Sequence, residues 1–433
     1  MNRFVLSFEL IDSPLLIVTV VIAAIGVLAI LLWPPRRPMG TVLIAVAVGL
    51  LTYIVVHALE GRGVFEGPLP VHAAIWAAGG MAAAAVGVGG ICRRPWGRRV
   101  VGVVTVLAAL FAAALGVNAS YGVTHNLAAV LGVQALDPAT LPQRDATAND
   151  PATLYRTWAP PAGMPEKGSV SALTGSTKIP TGQFAARDAS LYLPPAAQVP
   201  NPPALPLLVF MMGQPGSPDP TALAKALDAF AAKHEGLAPI AIVVDQLTAP
   251  DLDPACVDSA KYGAVATYVN QLVPQWAEQN LNIVTDHRYW TIGGFSNGGS
   301  CAAVYGAKYP GTWGNLLDVM GNEFPGSEHV ERTVAEVYGG DADAFQANKP
   351  AVIMAAAPAG SYAGHTAIFT WGSLDTTYGP GQLANSQAAQ AAGFSVLTHI
   401  VDGAGHTGEA LDKSLTFAIP ALAPALGLAA PAS

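Results

Sequence analysis

Residues 14–33 (PLLIVTVVIAAIGVLAILLW), 40–58, 71–91 and 100–119 form four apolar runs, each about 20 residues long and essentially free of charged side chains. Coiled as helices that rise about 1.5 Å per residue, each can cross roughly 30 Å of hydrocarbon. The bulk composition agrees, since 52% of the chain is apolar and only 12% charged, too skewed for an ordinary soluble enzyme. Residues 1–120 are therefore read as four membrane helices. A cleaved signal peptide is the competing reading of the first run, but the run is too long for one and three like it follow.

Arginine placement orients such a bundle. The loop PPRRPMG carries Arg36 and Arg37, and CRRPWGRR carries Arg93, Arg94, Arg98 and Arg99, so both loops are expected on the cytoplasmic side. In the remaining loop Arg62 is set against Glu60 and Glu66, and near the N-terminus Arg3 is set against Glu9 and Asp12. The N-terminus and everything after residue 120 are then expected outside the cell membrane. Cysteine usage fits that topology: Cys92 falls at the cytoplasmic end of the third run, whereas Cys256 and Cys301 fall in the exterior part and are candidates for a disulfide. Two buried free thiols are the alternative. Residues 1–121 carry net +4 and the rest net −12, together the net charge of −8. An acidic exterior has no basic patch to neutralise phosphates, which argues against a nucleic-acid partner.

From residue 121 to about 164 the chain is rich in Pro, Ala and Thr without sustained periodicity, which predicts an extracytoplasmic tether with at most one short helix. Beyond it, over 165–433, short β-type runs alternate with helical stretches. ASLYLP, LPLLVFMMG, APIAIVVDQL, RYWTIGGFS, NLLDVMG, HTAIFTWGSLD and FSVLTHIVDG read as strands. PTALAKALDAFAAKHEG, DSAKYGAVATYVNQLVPQWAEQ, NGGSCAAVYGAKYP, GQLANSQAAQAAG and a closing segment from about Gly408 read as helices. Strand and helix at this spacing predict an α/β domain, a mostly parallel sheet with helices on both faces.

One pentapeptide carries chemistry. Gly294-Phe295-Ser296-Asn297-Gly298 matches G-x-S-x-G, but with 45 glycines in 433 residues the match arises by chance in roughly one such chain in four or five. Its context makes it informative: a strand runs into Gly293-Gly294 and a helix of small residues leaves Asn297, the setting of a nucleophile elbow. A serine hydroxyl needs a base to take its proton and a carboxylate to orient the base, in the order Ser, acid, His. Four histidines follow Ser296. His399 lies inside a strand, His365 precedes one and His329 sits in an acidic loop, while His406 follows the last strand in the glycine-rich VDGAGHTG and is the expected base. Asp375, after AIFTWGSL, is the expected acid, ahead of Asp341, Asp343 and Asp402. Two backbone donors must meet the oxyanion, and the amides of Asn297 and Gln214 stand in the right places. His57, His72 and His125 fall near the outer membrane surface, which suits interfacial histidines better than a metal site. AAGGMAAAAVGVGG in the third membrane run suits close helix packing.

LPLLVFMMGQPGS, GGFSNGGSCA, GSLD and GAGH, in this order, resemble the esterase D branch of the α/β-hydrolase superfamily, which also holds the secreted mycolyltransferases. The resemblance covers roughly residues 165–425, and the four preceding membrane helices are similar to those of actinobacterial membrane esterases. It implies an α/β-hydrolase fold, triad positions for Ser296, Asp375 and His406, and oxyanion donors at Gln214 and Asn297. Family members often carry His-Gly or Asp-Gly where this chain has Met212-Gly213, which keeps the backbone donor but removes a polar side chain from the mouth.

The chain is thus expected to be a multi-pass, membrane-anchored serine esterase with an extracytoplasmic catalytic domain, needing no cofactor and no metal. Its partners would be the lipid bilayer and an ester substrate, a lipid-borne ester among the candidates. An acyltransferase that passes the acyl group to a sugar or lipid alcohol is the first alternative, and a non-catalytic exterior module is the second. The bundle has no charged residue mid-membrane, as a coupled transport path would need.

Overall fold

The computed structural model describes residues 3–430 apart from 12, 34–37, 63, 65–68, 71, 123, 132, 134 and 143–149. Arg36, Arg37, Asp12 and Glu66 of the orientation argument lie outside the described residues. The chain divides into two compact units, Met1–Val130 with His406–Gly408, and Leu131–Gly405 with Glu409–Ser433.

In the first unit four helices, α1 (Leu15–Leu32), α2 (Pro38–Glu60), α3 (Ala73–Ile91) and α4 (Trp96–Tyr121), are long and apolar enough to cross a membrane. Their ends fall within a few residues of the apolar runs. The small residues of α3 face α4: a Cβ at Gly102 would stand 2.6 Å from the Gly87 carbonyl oxygen, so only glycine permits that backbone approach. One expectation needs correction. Arg98 and Arg99 lie in the first turn of α4 rather than in the loop before it, and Arg98 is only 3% exposed. Its guanidinium donates to the carbonyls of Ile30 (2.9 Å) and Trp33 (3.3 Å), which the C-terminus of α1 leaves without helical partners. A buried arginine is tolerated here because it caps a helix.

The second unit holds one eight-stranded sheet of order β1-β2-β4-β3-β5-β6-β7-β8. Its strands are β1 (Ser169–Leu173), β2 (Ala189–Leu193), β3 (Leu207–Met211), β4 (Ile240–Val244), β5 (Thr291–Phe295), β6 (Asn315–Val319), β7 (Thr366–Gly372) and β8 (Ser395–Val401). Only β2 runs against its neighbours, and β3 to β8 are parallel, the arrangement of the α/β-hydrolase fold. Every residue of β3, β4, β5 and β6 is buried, which is why those segments read as unbroken apolar runs: a parallel strand covered on both faces has no solvent side to mark with polar residues. The unit's main helices are α5 (Thr221–Ala231), α6 (Val273–Asn280), α7 (Asn297–Lys308), α8 (Val330–Glu336), α9 (Ala342–Ala347), α10 (Pro350–Ala356), α11 (Gly379–Ala392) and, from its second residue on, α12 (Gly408–Leu422). Gly393 ends α11 in the left-handed region (φ 106°), its N–H returning to the Ala389 and Gln390 carbonyls.

Three local readings differ from expectation. The helix expected from Asp258 begins only at Val265 and runs through a π-type turn, Tyr268–Leu272, before α6, because Gly263 at φ 82° breaks the chain ahead of it. Helices α8 to α10 fill a stretch between β6 and β7 for which no element was expected. Parts of the segment read as a tether are docked on the sheet domain: the amide of Ala139 donates to Ala172 of β1 (2.8 Å), and the Trp158 indole donates to the Glu235 carbonyl (2.9 Å).

Cys256 and Cys301 are disulfide-bonded across a sequence separation of 45, whereas Cys92 is free and exposed. The bridge ties α7 to the 253–257 loop. Closing a loop of that length is worth about 2 to 4 kcal/mol through the unfolded chain. Changing both cysteines to alanine is therefore expected to lower the stability of the sheet domain by that amount, read as a lowered denaturant midpoint, with a slope that steepens as the uncrosslinked unfolded chain expands. An unchanged midpoint would count against the bridge as a stabilising link.

Candidate active site

The strand β5 delivers Ser296 to a sharp turn into α7. Its backbone sits at φ 57°, ψ −122°, a conformation that a side-chain-bearing residue adopts only at a cost of about 1–3 kcal/mol. Both flanking glycines are needed for that turn. A Cβ on Gly294 would collide with the Gly298 backbone, and one on Gly298 would collide with the Met211 carbonyl at the end of β3. The motif glycines thus let the turn close and let α7 press against β3. The Ser296 amide donates to the Val319 carbonyl (2.9 Å), and its own carbonyl accepts from Ser300 (3.1 Å), so the turn is fixed on both sides.

The two chain segments that carry the expected oxyanion donors both pass this serine. Asn297 is the first residue of α7 and is buried. Gln214 follows β3, and the residue before it, Gly213, lies so close that a Cβ there would stand 3.0 Å from Cβ of Ser296. Two side chains that sequence reasoning passed over hold this loop. Gln246, just past β4, donates from Nε2 to the Met212 carbonyl (2.6 Å) and to Oδ1 of Asn297 (3.0 Å). Arg187 donates to the Gly216 carbonyl (2.8 Å) and pairs in two-pronged fashion with the buried Asp245, through Nε to Oδ2 (3.1 Å) and Nη2 to Oδ1 (2.7 Å). The available signal was the polar pair Asp245-Gln246 directly after five apolar strand residues.

Asp375 is buried in the turn after β7, where its Oδ1 accepts the Tyr378 amide (3.0 Å). That turn is stitched to the segment after β8: Ser373 donates to the Val401 carbonyl and Leu374 to the Ala404 carbonyl, both at 2.9 Å. His406 comes two residues after Ala404, half-buried between β8 and α12. Four of the rival histidines and aspartates are engaged elsewhere. His399 stacks on Phe417 at 4.2 Å between ring centroids, and Nε2 of His365 lies 2.9 Å from the Pro310 carbonyl. Asp341 caps α9 through the Ala344 amide (2.9 Å), and Asp402 is exposed, 3.5 Å from the Ser373 hydroxyl. Among the histidines expected near the membrane surface, Nδ1 of His57 lies 2.8 Å from Oε2 of Glu60.

A cleft beside Gln214 is lined mostly by polar side chains, among them Asp253, Tyr262, Glu328, Arg332, Glu336 and the rival histidine His329, with Val337 as an apolar wall. Tyr262 donates to Glu336 (2.9 Å) within this lining, and Glu328 accepts from Tyr378 (2.5 Å) outside it, so two of its carboxylates are held by charge-assisted bonds.

No protein-family model matches the chain. Over 210 residues it is 39% identical to an uncharacterized protein of Corynebacterium glutamicum, covering 47% of this chain and 49% of that protein. The chain thus spans about half the length of the curated relative it matches. Among solved structures it is similar to a ferulic acid esterase at 15% identity and a TM-score of 0.48, over 60% of this chain and 98% of that one. It is likewise similar to an S-formylglutathione hydrolase of Agrobacterium tumefaciens, at 14% identity and a TM-score of 0.47, over 61% of this chain and 97% of that one.

Proposed function

We propose that this protein is a membrane-anchored serine esterase whose catalytic domain faces outward and which cleaves a carboxylic ester through an acyl-enzyme. The observation that supports this most is the strained Ser296 at the turn from β5 into α7, because backbone strain of that kind is retained where a side chain must be held out from a sheet edge. In this reading Ser296 Oγ attacks the ester carbonyl carbon while His406 takes its proton and Asp375 orients the imidazole. The amides of Gln214 and Asn297 receive the oxyanion. The C–O bond to the alcohol then breaks, the alcohol leaves with the proton from His406, and water repeats the sequence on the acyl-serine to release the acid.

The four apolar helices support anchoring, and the arginine distribution supports the outward orientation, with the bilayer as the standing partner. The test is labelling of intact cells with a fluorophosphonate that cannot cross the membrane. The wild-type chain is expected to be labelled at Ser296 and the Ser296→Ala variant to remain unlabelled. Labelling that appears only after permeabilisation would overturn the orientation, and no labelling in either state would overturn the esterase reading.

A further inference from the structure

The proposed oxyanion pocket is assembled from two pieces of chain far apart in sequence, the loop after β3 and the first turn of α7. The distance between their amides must be held to a fraction of an ångström for both to meet one oxygen. One side chain joins them. Gln246 is 2% exposed, and its Nε2 group has two hydrogens, which match its two acceptors: the carbonyl of Met212, in the peptide that carries the Gly213 amide, and Oδ1 of Asn297. We infer that Gln246 is a positioning residue, which sets the spacing of the Gln214 and Asn297 amides by bonding to both pieces of chain at once. The inference rests on the serine-esterase reading of Ser296.

The surroundings explain why the chain needs such a clamp. Nothing in the sheet pairs residues past Met211, since the β3 ladder to β5 ends at Met211 and Gly294. Beyond that point the loop is held at its far end by Arg187, which bonds the Gly216 carbonyl and is anchored on Asp245. Gln246 holds the near end. Asp245 and Gln246 are consecutive, so the end of β4 grips the loop at both ends. An apolar side chain in place of Gln246 would strand the Met212 carbonyl and the Asn297 amide oxygen in a buried setting and free them to seek other partners. A glutamate would set a carboxylate against two oxygen acceptors.

The test uses the full chain in detergent micelles and a short-chain p-nitrophenyl ester, with a boronic acid as the tetrahedral mimic. Gln246→Met is expected to lower kcat/KM roughly tenfold to a hundredfold, less than the loss of a whole oxyanion donor. The loss should fall on kcat, with KM within about twofold, and the boronic acid should bind more weakly by the same factor. Gln246→Glu, which changes one atom, should lose as much at neutral pH and recover relative to wild type as acidification protonates the carboxylate and restores one donor. Should Gln246→Met fail to fold, that pH-dependent ratio carries the test. Wild-type kcat/KM and boronic acid affinity in Gln246→Met, a loss confined to KM, or a pH-independent ratio in Gln246→Glu would each overturn the inference. If the wild-type chain fails to label at Ser296, the esterase reading falls and takes this one with it. Labelled wild type with fully active Gln246 variants removes this one alone.

Discussion

Replacing Ser296 with alanine is expected to leave a folded protein and to remove about 10⁴ to 10⁶ of kcat on a soluble ester, because the variant keeps any oxyanion stabilisation but has no nucleophile to acylate. The fold should survive, because the turn is held by backbone bonds to Val319 and Ser300 that alanine keeps. Alanine meets the same backbone strain at φ 57°, so folding stability should change little. His406→Ala should cost about as much, and the double variant little more than either alone, since nucleophile and base act as a unit. Asp375→Asn is the informative third member. If Asp375 only orients the imidazole, its loss is smaller, and much of the effect should appear as a changed pH profile. Near wild-type turnover in Ser296→Ala would end the catalytic reading, and so would full additivity of the two losses.

Much of this architecture could be read from residue order because buried parallel strands announce themselves as apolar runs. The segments around β3 to β8 were each bounded by Gly, Pro or polar turns, and each strand lies inside its run. β1, SVSAL, was missed because small polar residues alternate there on a strand at the sheet edge, next to β2. Helices α8 to α10 were missed because none exceeds seven residues, too few to show a helical period. At the candidate site the turn at Ser296 was legible because strand, glycines and helix all lie within one stretch. Gln246 and Arg187 were not, since each acts on a loop about 30 residues away and only folding puts them beside it. The same holds for the capping role of Arg98, 68 residues from the Ile30 carbonyl it bonds.

Raising the pH from about 4 to 8 is expected to remove about 4 kcal/mol of stability from the sheet domain through one buried carboxyl, Asp318. This residue sits near the end of β6 against the first turn of α7, fully buried, and burial pushes its pKa up to about 7 from the ordinary 3.8. Its Oδ1 accepts the Gly321 amide (3.0 Å), while Oδ2 has no hydrogen-bond partner and neither has Oε1 of Gln382, the neighbour whose amide contacts it. A proton on Asp318 removes the charge that burial disfavours. Because the folded pKa lies above the unfolded one, the folded state holds its proton more tightly. Below about pH 4 both states are protonated and the carboxyl costs nothing. As pH rises from 4 to 7 the unfolded chain loses its proton first, so stability falls by about 1.4 kcal/mol per unit and stays low above pH 7. The first turn of α7 beside it favours the anion by about 0.3–1 kcal/mol, which trims the fall without reversing it. Asp318→Asn keeps an acceptor for Gly321 and is uncharged at every pH. Relative to wild type the variant should therefore gain stability steadily between pH 4 and 7, read as a widening difference in Tm across that window. A difference that does not change with pH would show that Asp318 keeps its charge in the fold, and that the seam between β6 and α7 holds a charge it must solvate by other means.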